Sequence, residues 1–244
     1  MQPTILQNKN LNIVAIGGGT GLSTLLRGLK EFVNKEFVGS ELSDKKIFDE
    51  KTKERFTLNP LSAIVAVTDD GGSSGRLRDE LNMLPPGDIR NCMVALSEDS
   101  NLLSRLFQHR FKGDGELGGH NFGNLFLAAL TEVSGGDFVE AVRHASEVLA
   151  IKGKIFPATD KDVRLVAEMM DGRVVHGESS ITAANSVIKN LRLEPAICTP
   201  LPDAIRAIET ADVITLGPGS LFTSLLPPLL VEGVAAAIGA SKAV

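Results

Sequence analysis

A cluster of glycines sets the first unit of this fold. Gly17-Gly18-Gly19-Thr20-Gly21 separates two unlike segments. Before it, residues 11–16 are apolar and β-branched. After it, Leu22, Leu25, Leu26, Leu29, Phe32 and Val33 recur at helical spacing. A period of two or a continuous apolar run belongs to a strand, and a period of 3.6 to a helix. The pattern is strand, tight turn, helix. It repeats in coarser form along 244 residues. Residues 61–67 are a near-continuous apolar run, as expected of a parallel strand covered on both faces. Helices are expected at about 88–96, 102–107, 122–133, 138–150 and 204–210, and another strand at 213–216. Strands alternating with helices predict an α/β fold: a Rossmann-like, mostly parallel sheet with helices on both faces, in three layers. Residues 1–244 are expected to form a single domain. The charged stretch at about 38–56 is an expected insertion. Residues 151–193, with a turn at Asp171-Gly172, are an expected hairpin flap.

In open α/β sheets ligands bind beyond the carboxyl ends of the strands. Three strand ends here carry small polar residues: 17–23, 68–78 and 217–220. In the first, Gly18, Gly19, Thr20 and Gly21 leave room for a phosphate at a helix start. The plain alternative is a tight turn without a ligand. The dinucleotide fingerprint is incomplete, because Leu22 stands where its third glycine belongs. No Gly-Lys-Ser/Thr follows either. A nicotinamide oxidoreductase therefore fits poorly.

The second loop is Thr68, Asp69, Asp70, Gly71, Gly72, Ser73 and onward to Arg76 and Arg78. Adjacent residues of a strand point to opposite faces, so one of the two aspartates is expected to face the cleft. That carboxylate, with Asp70 the candidate, suits Mg²⁺ or ligand hydroxyls. Arg76 and Arg78 suit a diphosphate. A solvated surface turn is the alternative. Two helix starts, Asp88-Ile89-Arg90-Asn91 and His120-Asn121-Phe122-Gly123-Asn124, supply further candidates: Asp88, Arg90, Asn91, His120, Asn121 and Asn124. Helix capping by Asp88 and Asn121 explains them equally well. His120 is a candidate acid or base without an evident carboxylate partner. Gly217, Gly219 and Ser220 repeat the small-residue pattern at the last strand.

The net charge of −5 argues against nucleic acid as a partner. No run is apolar for long enough to span a bilayer. No signal pattern opens the chain, so a cytoplasmic location is expected. The two cysteines, Cys92 and Cys198, are expected as buried free thiols. The chain has neither Trp nor Tyr, which leaves base stacking to Phe or aliphatic side chains.

Taken in order, the stretches 17–21, 68–78, 85–91, 119–124 and 216–220 resemble the YvcK-type gluconeogenesis factors. These lie within the CofD-like family, which includes the 2-phospho-L-lactate transferases. The resemblance implies a UDP-sugar ligand such as UDP-N-acetylglucosamine. It also implies a role in carbon metabolism and cell shape. No cofactor is certain; in the transferase branch it would be Mg²⁺ with a nucleotide-diphospho donor. A regulator is the reading favoured over an enzyme, with a transferase of phosphorus-containing groups as the alternative. A homodimer is compatible with the sequence. The family pattern continues beyond Val244 into another strand and a terminal region that helps form the ligand site.

Overall fold

The computed structural model describes residues 8–34, 36–38, 55–98 and 101–244. Most of the expected charged insertion lies outside them. Strand β1 (Asn8–Gly17) and strand β3 (Arg55–Val65) run parallel side by side. Strand β8 (Val213–Leu216) lies parallel on the far side of β1, and β4 (Lys154–Pro157) parallel on β3. A short β2 (Glu36–Val38) pairs antiparallel with the first part of β3. The sheet is thus mostly parallel with helices around it, as expected. Its central strands are the apolar runs of the sequence: Val14, Ala15 and Ile16, and Leu61 and Ala63 to Val65, are all buried. Burial of these side chains on both faces supplies the main stabilisation, roughly 1.5–3 kcal/mol per large aliphatic group.

Helix α1 (Gly19–Leu29) packs against α3 (Gly87–Leu96), which also meets β3 and β4. Helix α4 (Asn101–Gln108) leads through a loop to α5 (Phe122–Val133), and α6 (Phe138–Val148) packs on α5 and β4. Phe107, Phe122 and Phe126 interlock here, with Phe107 edge-on to Phe126 at 5.0 Å. A second, antiparallel sheet has the order β6-β5-β7. Its strands are β5 (Arg164–Met169), β6 (Val174–His176) and β7 (Ile188–Glu194), with α7 (Glu178–Ala183) between the last two. The expected hairpin is β5–β6, and it gains a third strand. Helix α8 (Pro202–Glu209) precedes β8. A π-helical turn at Leu221–Leu225 runs into α9 (Leu226–Leu230), followed by α10 (Val234–Ala240). Among the described residues no single helix is long and apolar enough to cross a membrane, and the segments 221–230 and 234–240 are bent by 82° to one another. Cys92 and Cys198 are buried free thiols.

One element departs from the expectation. Residues 72–81 are not loop: they form helix α2 (Gly72–Leu81). Its buried residues include Ser73, Ser74 and Gly75, so it lacks the apolar stripe by which amphipathic helices are read. Small side chains suit the tight packing. A Cβ on Gly75 would collide with the carbonyl of Asp70.

Candidate functional site

The register of the sheet brings the three loops to one edge. Gly17 pairs with Val65 and Ile16 with Leu216, so β1, β3 and β8 end side by side. Backbone bonds continue past the strand ends: Ala66 N–H donates to Gly17 O at 2.8 Å, and Gly217 N–H to Ile16 O at 2.9 Å. Gly19 has φ +66, in the left-handed region, where a side chain would strain the turn. Gly21 packs so closely on the third loop that a Cβ would collide with the Pro218 carbonyl. Backbone cannot swing aside as a side chain can. Gly21→Val is therefore expected to destabilise the chain by about 1–3 kcal/mol, the cost of overpacking a tight contact, read by urea unfolding. Unchanged stability would show that the two loops are not packed as described.

Asp88 does not cap its own helix. Pro86 is the N-cap of α3, with no side-chain cap bond. Instead, the Asp88 carboxyl turns across the cleft toward the Gly19 N–H. A Cβ on Gly18 would lie 2.7 Å from Asp88 Oδ2. Burial, then the neighbouring Asp69, pushes the Asp88 carboxyl up to about 6. The two adjacent aspartates diverge. Asp69 Oδ1 accepts Gly71 N–H at 3.0 Å, and Asp69 Oδ2 would lie 2.6 Å from a Cβ on Gly87, beside Asp88. Asp70 Oδ1 turns to the second sheet and accepts Ser179 N–H at 2.9 Å.

The next residue back, Glu178, was not expected in the site. Its carboxyl accepts the Thr68 hydroxyl at 3.4 Å and is also hydrogen-bonded to the Thr223 side chain. Glu178 thus joins the ends of β3 and β8 to α7. Burial first, then Asp88, Asp69 and Asp70, raises its carboxyl to about 8. No local motif marks Glu178; only the chain crossing from the second sheet brings it here.

The opposite side of the edge is polar and basic. Asn121 caps α5 as expected, its Oδ1 accepting Gly123 N–H at 2.9 Å and Asn124 N–H at 3.4 Å. Asn124 is 2 % exposed and its Nδ2 reaches Ser73 Oγ at 3.1 Å and Ser74 Oγ at 3.5 Å. Ser73 Oγ lies 3.1 Å from His120 Nδ1. Burial, then Arg76, lowers the His120 pKa, which favours the neutral ring. Arg90 Nη1 donates to Asn124 Oδ1 at 3.1 Å, and its Nη2 to Asn91 Oδ1 at 2.6 Å. Arg76 Nη2 donates to Gly118 O at 2.8 Å. Arg110, also unexpected, donates from Nη1 to Gly119 O at 2.6 Å.

Arg78 is not beside Arg76. Two residues along a helix are about 200° apart around its axis. Arg78 is 2 % exposed and pairs with Asp162, its Nη2 also 2.5 Å from Val163 O. The expected two-arginine clamp is thus split, because α2 is a helix and not a loop. Thr20 spends its carbonyl on Ser23 Oγ and Thr24 Oγ1, at 2.9 and 2.8 Å. Gly72 has φ +46. Ser220 O accepts the N–H groups of Ser224 and Leu225, and a Cβ on Gly219 would lie 2.9 Å from Ser224 Cβ.

Among the described residues no group of three or more His, Cys, Asp or Glu side chains is disposed to hold a metal ion. Asp69 and Asp70 point to different backbone N–H groups, so this donor set does not fit Mg²⁺. A groove of about 1030 Å³ lies elsewhere, bordered by the first half of β1, by β4, and by α6 and α8. Ile13, Val14, Ile155 and Phe156 line it, and none of the three loops does. The convergent polar groups are at the loops, where α/β sheets hold their ligands.

Fold and edge together define a Rossmann-like α/β protein with three polar loops beyond the ends of its parallel strands. The family described as 2-phospho-L-lactate transferase CofD matches residues 13–244. A gluconeogenesis factor of Halalkalibacterium halodurans is 48% identical over 235 residues, covering 96% of this chain and 65% of that protein. One of Bacillus subtilis is 49% identical over 222 residues, covering 91% and 62%. A relative from Nostoc sp. is 50% identical, and the chain spans 45% of its length. A crystal structure of a Bacillus halodurans protein superposes with a TM-score of 0.84 at 48% identity, covering 96% of this chain and 67% of that one. The chain belongs to the CofD family, in its gluconeogenesis-factor (YvcK-type) branch.

Proposed function

We propose that this chain binds a nucleotide-diphospho-sugar, such as UDP-N-acetylglucosamine, at the joined ends of β1, β3 and β8. In this reading it acts in the cytoplasm as a regulator of carbon metabolism and cell shape. What supports the proposal is the meeting of two chemistries at one edge: the carboxyls of Asp69, Asp88 and Glu178, and Arg76, Arg90 and His120, with Arg90 within electrostatic reach of Asp88 and Asp69. A ligand with hydroxyl-rich and phosphate-rich parts matches such a site. The names of the Halalkalibacterium and Bacillus relatives support the metabolic role.

Titration calorimetry with UDP-N-acetylglucosamine is the test. Saturable binding without product is the expected result. No heat at millimolar ligand overturns the reading. Metal-dependent turnover of a nucleotide-diphospho donor would favour the second reading, a phospho-group transferase, which the family description supports.

A further inference from the structure

We infer that the diphosphate of the ligand sits on Arg76, Arg90 and Arg110, and that the glycine loop takes its hydroxyl-bearing part. The inference rests on the nucleotide-sugar reading of the site and reverses the orientation that a glycine-rich turn suggests.

The glycine loop is a poor seat for an anion here. The Asp88 carboxyl already lies against it, near the Gly19 N–H and 2.7 Å from where a Cβ on Gly18 would be. Gly18 leaves no room beside that carboxyl. Asp69 faces Asp88, and Glu178 closes the same corner with Thr68 and Thr223. A phosphate placed there meets the Asp69 and Asp88 carboxylates at close range, whereas ligand hydroxyls find acceptors.

The arginines offer the complementary place. Residues 109–122 fold back on themselves: Arg110 bridges Asn121, and Phe111 N–H donates to His120 O at 2.9 Å. This hairpin presents the consecutive carbonyls of Gly118 and Gly119, one to Arg76 and the next to Arg110. Both guanidiniums are therefore anchored to the same turn of backbone before any ligand arrives. Burial, then Arg110, disfavours the charge on Arg90, while Asp88 and Asp69 nearby favour it, and the Arg90 Nε is buried without a hydrogen-bond partner. Asn91 and Asn124 hold the other two nitrogens of Arg90.

Arg76, Arg90 and Arg110 make no salt bridge among the described residues. Arg143, Arg164, Arg173 and Arg206 on the surface each have a carboxylate partner. Each guanidinium carries five N–H donors, and the first three leave several unused. Phosphoryl oxygens accept from such forks in pairs. Fixing the arginines in advance lowers the ordering cost of binding.

The test uses the 244-residue chain with three probes: inorganic pyrophosphate, UDP-N-acetylglucosamine and uridine. Arg110→Gln is expected to weaken pyrophosphate and UDP-sugar binding by about tenfold or more, and to leave uridine binding unchanged. Arg76→Gln should do the same, which guards against a local folding defect in one variant. Asp88→Asn should leave pyrophosphate affinity unchanged or raise it. Pyrophosphate binding that depends on Arg110, without UDP-sugar binding, would sink the nucleotide-sugar reading and keep the anion subsite. The subsite is overturned if the unaltered chain binds no pyrophosphate at millimolar concentration. It is equally overturned if both arginine variants bind all three probes as before.

Discussion

Arg78→Ala is expected to lower the stability of the chain by about 2–5 kcal/mol, the range for deleting a large buried side chain. For a domain of this size that is a fall in Tm of roughly 5–15 °C. Arg78 ties α2 to the start of the second sheet through Asp162 and Val163. Its Nε and Nη1 are buried without partners, so much of its contribution is packing. Asp162 is about half exposed, and water solvates it once its partner is gone. Arg78→Met, which fills the same space without charge, is therefore expected to restore most of the loss. Asp162→Asn is expected to cost about 1–3 kcal/mol, because the buried guanidinium loses its counter-charge but keeps Val163 O and an amide oxygen as acceptors. Thermal melts of the three variants check this. Normal melting of Arg78→Ala with lost ligand affinity would return Arg78 to the ligand site.

The second large effect is on pH. The Glu178 carboxyl is raised from an ordinary value of 4.5 to about 8, chiefly by burial and then by Asp88, Asp69 and Asp70. Asp88 is raised from 3.8 to about 6, by burial and then Asp69. A carboxyl raised on folding holds its proton longer in the folded chain than in the unfolded one. Folding stability from these groups is then fully present below the unfolded pKa values. It falls as pH rises, through about 6 for Asp88 and about 8 for Glu178. Tm is expected to drop by roughly 5 °C or more between about pH 4 and pH 8. Glu178→Gln mimics the protonated acid, keeps the Thr68 and Thr223 contacts, and should flatten the upper part of that drop. An equal drop in the variant would place the titration elsewhere.

How far the sequence could be read depended on the kind of signal each residue leaves. Strands β1, β3 and β8 carry dense apolar runs stopped by glycine, and runs of that kind in parallel strands imply neighbouring ends. Asn121 was legible as a cap because capping is local. Helix α2 was not legible, because its buried residues are Ser73, Ser74, Gly75, Leu77 and Arg78, and a single leucine makes no apolar period. Missing that helix misplaced Arg78, since the loop reading kept it beside Arg76. Glu178 and Arg110 depend on distant segments: α7 crossing from the second sheet, and the hairpin at 109–122. Neither leaves a periodic or motif signal in its own neighbourhood. Asp88 looked like a cap by residue type and position. Its carboxyl finds the Gly19 N–H instead, a contact fixed by the packing of α1 on α3.

The ligand is expected at the loop edge and not in the groove between α6, α8 and the sheet. Amide hydrogen exchange with and without UDP-N-acetylglucosamine distinguishes the two. Protection is expected at residues 66–72, 118–124 and 217–220, with none gained at 139–147 or 203–210. Protection confined to the latter two segments would contradict this placement.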